Sequence, residues 1–258
     1  MSIESRANKI RMRICILGNS VGLRIRPPRR ARTDRTYSEW LMLDHEVFNC
    51  CRAGTVIGEQ FRSLEEDLLS RFPDVAIINF GIVEIFDRQT IRRINNFPIR
   101  NYYNNSVYQR DFRPRAGILD FTARGMNYMT RLIASRFGVA WQWVRIEDYL
   151  AALRYLCDIA VKETHATVII FALPIFPAGS EKYSVTTNEH SRRVNACIRA
   201  WADESGGRIR ILPTDSLTPD SLRHQRIMPD GIHFSGLGHR IIYKSLYRLI
   251  GECSRPSS

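Results

Sequence analysis

No stretch of the 258 residues approaches the roughly 18–20 consecutive apolar positions that cross a bilayer. The first ten residues, Met-Ser-Ile-Glu-Ser-Arg-Ala-Asn-Lys-Ile, contain no apolar h-region. The expectation is therefore a cytoplasmic protein without a signal peptide. The six cysteines, Cys15, Cys50, Cys51, Cys157, Cys197 and Cys253, never fall in a Cys-x-x-Cys pair. Without a secretory signal they read as reduced, mostly buried thiols, not as a zinc site or a disulfide framework. There is no internal repeat and no interdomain linker, so the chain reads as one domain over 1–258. Zinc-finger spacing, an RNP-like aromatic motif and a clear recognition helix are all missing, which makes nucleic acid an unlikely partner. No metal or organic cofactor is called for.

Acidic residues are in deficit, 26 against 38 basic ones, for a formal charge of +12. Arginine carries most of the excess. Arg24, Arg26, Arg29, Arg30, Arg32 and Arg35 crowd one stretch. That stretch reads either as a solvated loop or as a basic lip that attracts an anionic substrate.

With 44% hydrophobic residues the chain has ample material for a core. Ile14, Cys15, Ile16 and Leu17 form a short apolar run suited to a strand buried on both faces. Val47–Cys51, Asp74–Phe80, Thr167–Leu173 and Arg208–Leu212 read as four more strands. Between them lie helical patterns: Tyr37, Trp40, Leu41 and Leu43 on one face, then a helix opened by Gly58 with the stripe Phe61, Leu64, Leu68 and Leu69, ended by Pro73. Longer helices span Ile146–Thr164, Thr187 to Glu204 and Gly236 to Ile250. Alternating strands and helices predict a three-layer α/β/α domain with a parallel five-stranded sheet. An excursion interrupts the pattern at about 85–145; its Asn- and Tyr-rich part, Asn95–Tyr108, suits a flap over a site.

Gly18 ends the first strand and Ser20 lies just past it, where ligands bind in open α/β sheets. A nucleophilic serine needs a proton acceptor, and the acceptor needs an orienting group. Asp230 and His233, four residues from end to end, can supply both, with the carboxylate on Nδ1–H and Nε2 free to meet a hydroxyl. His45, His165, His190, His224 and His239 lack such a partner and read as structural or solvated.

These pieces together resemble the SGNH (GDSL-type) serine hydrolase superfamily. Gly18-Asn19-Ser20 resembles its Gly-Asp-Ser block, Gly54 its second-block glycine, Gly81-Ile-Val-Glu84 its Gly-x-Asn-Asp block, and Asp230-Gly-Ile-His233 its Asp-x-x-His block. The resemblance implies a flavodoxin-like sheet of order 2-1-3-4-5 and hydrolysis of ester-linked acyl groups, including O-acetyl groups on a glycan. It implies Ser20, Asp230 and His233 as the catalytic residues, and the backbone N–H groups of Ser20 and Gly54 as the oxyanion hole. The implied partner is an acylated small molecule or glycan, an anionic one if the arginine lip acts on it. Two other readings stay open: an O-acyltransferase with the same triad, and a binding module with weakened catalysis. Asn19 departs from the family's Asp. Val83 stands where an oxyanion-hole Asn is expected; Asn79, on the preceding strand, is expected to point elsewhere. Asn188, after the fourth strand, reads as a helix N-cap or an exposed polar residue, with a substrate contact as the alternative.

Overall fold

The computed structural model describes residues 11–23, 35–86, 142–177, 186–217, 221–229 and 232–253, and places residues 126, 129, 133 and 136 in helix. Most of the arginine cluster, the Asn/Tyr-rich excursion, Asp230 and Gly231 lie outside the described residues.

Strand β1 (Arg13–Gly18) leads to helix α1 (Tyr37–Leu41) and β2 (Glu46–Asn49). Two single-turn helices, α2 (Ile57–Gln60) and α3 (Leu64–Asp67), precede β3 (Val75–Asn79) and α4 (Ile82–Ile85). The second half runs α5 (Ile146–Thr164), β4 (Thr167–Phe171), α6 (Thr186–Glu204), β5 (Ile209–Leu212), α7 (Ser221–Ile227) and α8 (Gly236–Cys253). The five strands form one parallel sheet, order 2-1-3-4-5. Helix α8 packs with α1 and α7, while α5 packs with α2 and α6. This is the three-layer arrangement expected from the strand–helix alternation, with the flavodoxin-like strand order that the resemblance implies.

The layering explains the strand sequences. Ile14–Leu17 of β1 and Val75–Ile78 of β3 are wholly buried, because helices cover both faces of the central strands. The edge strands β2 and β5 are only partly buried and accept polar residues such as Glu46 and Arg210. Burial also governs the thiols: it pushes Cys15, Cys50 and Cys157 up to about 12, and Cys51 higher still. All six cysteines are free.

Several boundaries differ from the sequence reading, each for a local reason. β2 covers Glu46–Asn49, not Val47–Cys51, because the Asn49 Oδ1 accepts the Cys51 N–H and starts a turn. α1 stops at Leu41, which leaves Leu43 exposed and not on the helix's inward face. The helix expected after Gly58 is broken into α2, α3 and two 3₁₀ turns. Ser63 and Gln60 direct their side chains to Asp67 Oδ2, at 2.7 and 2.6 Å, and Ser63 leaves helical geometry at φ −122°. Short polar side chains compete with the helical ladder in this way. β4 ends at Phe171, and Asn195 then clamps Leu173 by both N–H and C=O at 2.6 and 2.9 Å.

Candidate active site

Ser20 lies in the turn after β1, Gly54 in the loop after β2 and His233 in the loop between α7 and α8. β1 ends at Gly18, and Asn19 caps the 3₁₀ turn Ser20–Gly22 by accepting the Val21 N–H on its Oδ1 at 3.2 Å. The turn is short enough to hold Ser20 at the strand end. Its Oγ lies 2.9 Å from His233 Nε2, across 213 residues of sequence. This is hydrogen-bonding distance between a hydroxyl and an imidazole nitrogen.

His233 arrives on the loop between α7 and α8. Ser235 fixes that loop at three points. Its N–H donates to Ile227 O at 2.8 Å, its Oγ donates to Arg226 O at 2.6 Å, and the same Oγ accepts the Gly238 N–H at 3.1 Å. The last bond caps α8. A side chain at Gly238 would come within 2.6 Å of Ile227 O, so the close approach of the two helices needs glycine there. The carboxylate expected to orient His233, that of Asp230, lies outside the described residues.

Gly54 occupies the loop after β2 at φ +68°, the left-handed region that glycine enters without strain. A polar anchor secures the loop. The Arg52 N–H donates to Gly18 O at 2.9 Å, and the Arg52 guanidinium grips Asp67 with both NH groups at 2.6 and 3.1 Å. Asp67 is largely buried, while Arg52 is about half exposed, at 43%.

The third loop carries Gly81 at φ +120°, where a Cβ would strike Leu173 and Tyr149. Glu84 is fully buried and accepts two N–H groups, from Gly81 at 2.8 Å and from Ile57 at 3.0 Å. One carboxylate therefore joins the third loop to the start of α2, three residues beyond Gly54. Val83 is buried in the first turn of α4 and brings no side-chain donor.

Asn79 points across the end of β1. Its Oδ1 accepts the Asn19 N–H at 3.1 Å and its Nδ2 donates to Tyr37 Oη at 2.5 Å. Asn188 is neither an N-cap nor an idle surface residue: its amide bonds both Phe176 N–H and Phe176 C=O, at 2.8 and 2.9 Å. The sequence reading missed what Glu84 and Asn79 do. The signal available was a polar residue at the end of each of two otherwise apolar runs, Val75–Asn79 and Ile82–Glu84.

A cavity of about 10 Å³ lies beside the site, among Val21, Asn79, Phe80, Leu173, Pro174 and Phe234. Among the described residues no group of three or more His, Cys, Asp or Glu is arranged to hold a metal ion. No helix among them is long and apolar enough to cross a membrane.

Comparison with solved structures agrees with this topology. A variant of Axe2, an acetyl xylan esterase from Geobacillus stearothermophilus, superposes with a TM-score of 0.57 at 16% identity, covering 97% of this chain and all of that one. A putative GDSL-like lipase from Parabacteroides merdae gives 0.57 at 13% identity, over 94% and 97% of the two chains. The lipase/acylhydrolase from Enterococcus faecalis gives 0.56 at 14% identity, over 96% and 100%. At such identities the likeness is one of fold. No curated protein matches the sequence. The profile of the GDSL-like lipase/acylhydrolase family matches residues 17–241, a span that begins one residue before Gly18 and runs past His233. On that match the chain belongs to the GDSL-like lipase/acylhydrolase family, and it is an esterase-type hydrolase.

Proposed function

We propose that the protein removes short acyl groups from ester-linked substrates, O-acetylated sugars first among them, with Ser20 as nucleophile and His233 as base. The observation that carries this reading is the 2.9 Å approach of Ser20 Oγ to His233 Nε2. Oγ attacks the ester carbonyl while Nε2 takes its proton. The carbonyl oxygen becomes an oxyanion, stabilised by the N–H groups of Ser20 and Gly54. His233 returns the proton to the departing alcohol, and water then releases the acyl group from Ser20 by the same steps. In this reading Asp230 holds the imidazole in the tautomer whose Nε2 can accept. The similar fold of an acetyl xylan esterase makes acetylated xylo-oligosaccharides the first substrates to test.

The test is labelling with a fluorophosphonate, with the site read by mass spectrometry, beside turnover of p-nitrophenyl acetate, butyrate and octanoate. The expected outcome is label on Ser20, none in Ser20→Ala, and rates that fall with chain length. A residual rate of roughly 10³ over water can persist in Ser20→Ala from the remaining machinery. Unchanged turnover in folded Ser20→Ala refutes the assignment. Acetyl transfer to added sugar in place of free acetate would make the protein a transferase on the same residues.

A further inference from the structure

A chain of buried polar groups runs beneath the nucleophile turn and ends behind the His233 loop. Asn79 is its centre, 3% exposed. Three features of the turn fit around this one side chain. The Asn19 N–H, adjacent to Ser20, donates to Asn79 Oδ1 at 3.1 Å. A Cβ on Gly18 would fall 1.5 Å from the same Oδ1, so β1 must end in glycine to let the amide pass. A Cβ on Gly22 would meet Cys51 Sγ at 2.3 Å, Asn79 Nδ2 at 2.8 Å and Tyr37 Oη at 3.0 Å. The residues on both sides of Ser20 are thus shaped to the amide and to its partners.

The chain continues away from the turn. Asn79 Nδ2 donates to Tyr37 Oη at 2.5 Å, and Cys51 Sγ lies 3.6 Å from the same nitrogen. Tyr37 is wholly buried at the start of α1, and its N–H donates to His239 Nδ1 at 3.3 Å. His239 is buried in the first turn of α8. Its ring faces Tyr37 and meets the ring of Phe234 edge-on, both at 5.7 Å between centroids. Its N–H donates to Ser235 O at 2.8 Å. Phe234 and Ser235 directly follow His233. The sequence of contacts is therefore Ser20 turn, Asn79, Tyr37, His239, His233 loop. Every link is shielded from water, where a hydrogen bond gains strength and a broken one is costly.

We infer that Asn79, through Tyr37 and His239, is a positioning residue that holds the Ser20 turn and the His233 loop in mutual register. This inference rests on the assignment of Ser20 and His233 as the reacting pair. Asn79 itself bonds to neither. Its task is to fix the 2.9 Å approach between two loops that belong to opposite ends of the chain. A displacement of about one ångström there can cost about 10²-fold in rate.

Two variants test it. Asn79→Ala removes both arms of the amide. Tyr37→Phe removes only the hydroxyl and keeps the ring against His239 and Phe171. The readouts are kcat and KM for p-nitrophenyl acetate, thermal midpoint, and fluorophosphonate labelling rate. Cys157→Ala, a buried change in α5, serves as the control for general destabilisation. The expected result is a kcat at least tenfold lower in both variants, KM within about threefold, and slowed labelling of Ser20, with kcat of the control unchanged. The double variant Asn79→Ala/Tyr37→Phe should be no slower than Asn79→Ala alone, because one chain is broken once. If Asn79→Ala does not fold, Tyr37→Phe decides alone. A kcat within twofold of wild type in folded Tyr37→Phe, or a loss shared equally by the control, overturns the inference. Failure of the underlying assignment looks different: the wild-type protein itself would then show no label on Ser20.

Discussion

Val83 poses the sharpest question at the scale of one residue. A side-chain donor is expected in this part of the third loop, and valine has none. One lost donor to an oxyanion costs about 2.7–4 kcal/mol, or 10²–10³ in rate. The protein should therefore be slow on simple activated esters unless distant contacts with the true substrate compensate. Val83→Asn is expected to raise kcat on p-nitrophenyl acetate, by up to about 10²-fold, with KM nearly unchanged. Val83→Ala should match wild type. Steady-state kinetics with folding checked by circular dichroism reads the result; an Asn variant no faster than wild type means that position 83 does not face the oxyanion. The Asn79 amide is no ready substitute, since it is committed to Asn19 and Tyr37. At this scale the sequence spoke unevenly. Ser20 and His233 stood out because a strand end and a histidine before a last helix are visible as spacing. The work of Asn79 was hidden, because nothing local links it to Tyr37, 42 residues away.

Helices and strands show the same unevenness. The long helices α5, α6 and α8 and the apolar strands β1 and β3 could be read from periodicity, since burial on one or two faces fixes their residue types. The broken run from Ile57 to Arg71 could not be. Its apolar stripe satisfies a helix, but Gln60, Ser63 and Arg52 converge on Asp67 and override the ladder. That cluster also anchors the Gly54 loop, so its removal should be felt in both stability and rate. Arg52→Ala leaves a buried carboxylate with only neutral donors, Gln60 and Ser63. Hydrogen bonds to charged groups are worth about 1.5–3 kcal/mol, and the half-exposed guanidinium places this one near the lower end. We expect a loss of about 1.5 kcal/mol in urea unfolding, with a lower kcat from a looser loop. Arg52→Ala/Asp67→Asn should recover much of the stability, because the stranded charge is gone. An Arg52→Ala protein as stable as wild type would show that solvent already screens the pair.

The whole molecule buries Cys15, Cys51 and Cys157 as a consequence of its layers. Helices cover both faces of the central sheet, so these thiols on β1, after β2 and on α5 lose their contact with water. Cys157 is the simplest case to test. It is wholly buried in α5, and desolvation, reinforced by Asp158, raises its thiol from the ordinary 9.0 to about 12. In the unfolded chain the thiol ionises near 9; in the folded chain it keeps its proton. Between those values the folded state binds more protons than the unfolded one, so stability must fall as pH rises. The contribution is fully present below about pH 9 and is lost progressively toward pH 12. One fully protected thiol contributes a slope of up to about 1.4 kcal/mol per pH unit in that window. Cys15 and Cys50 act in the same direction, and the buried Tyr37 and Tyr149 add to it at higher pH. The measurement is urea unfolding from about pH 7 to 10.5 under reducing conditions, for wild type and Cys157→Ala. The variant should be less stable at neutral pH, because it leaves a small cavity. Its stability should then fall less steeply above about pH 9, so that the two curves converge. Parallel curves would mean that the Cys157 thiol ionises alike in the folded and unfolded states, and that the layer over α5 admits water.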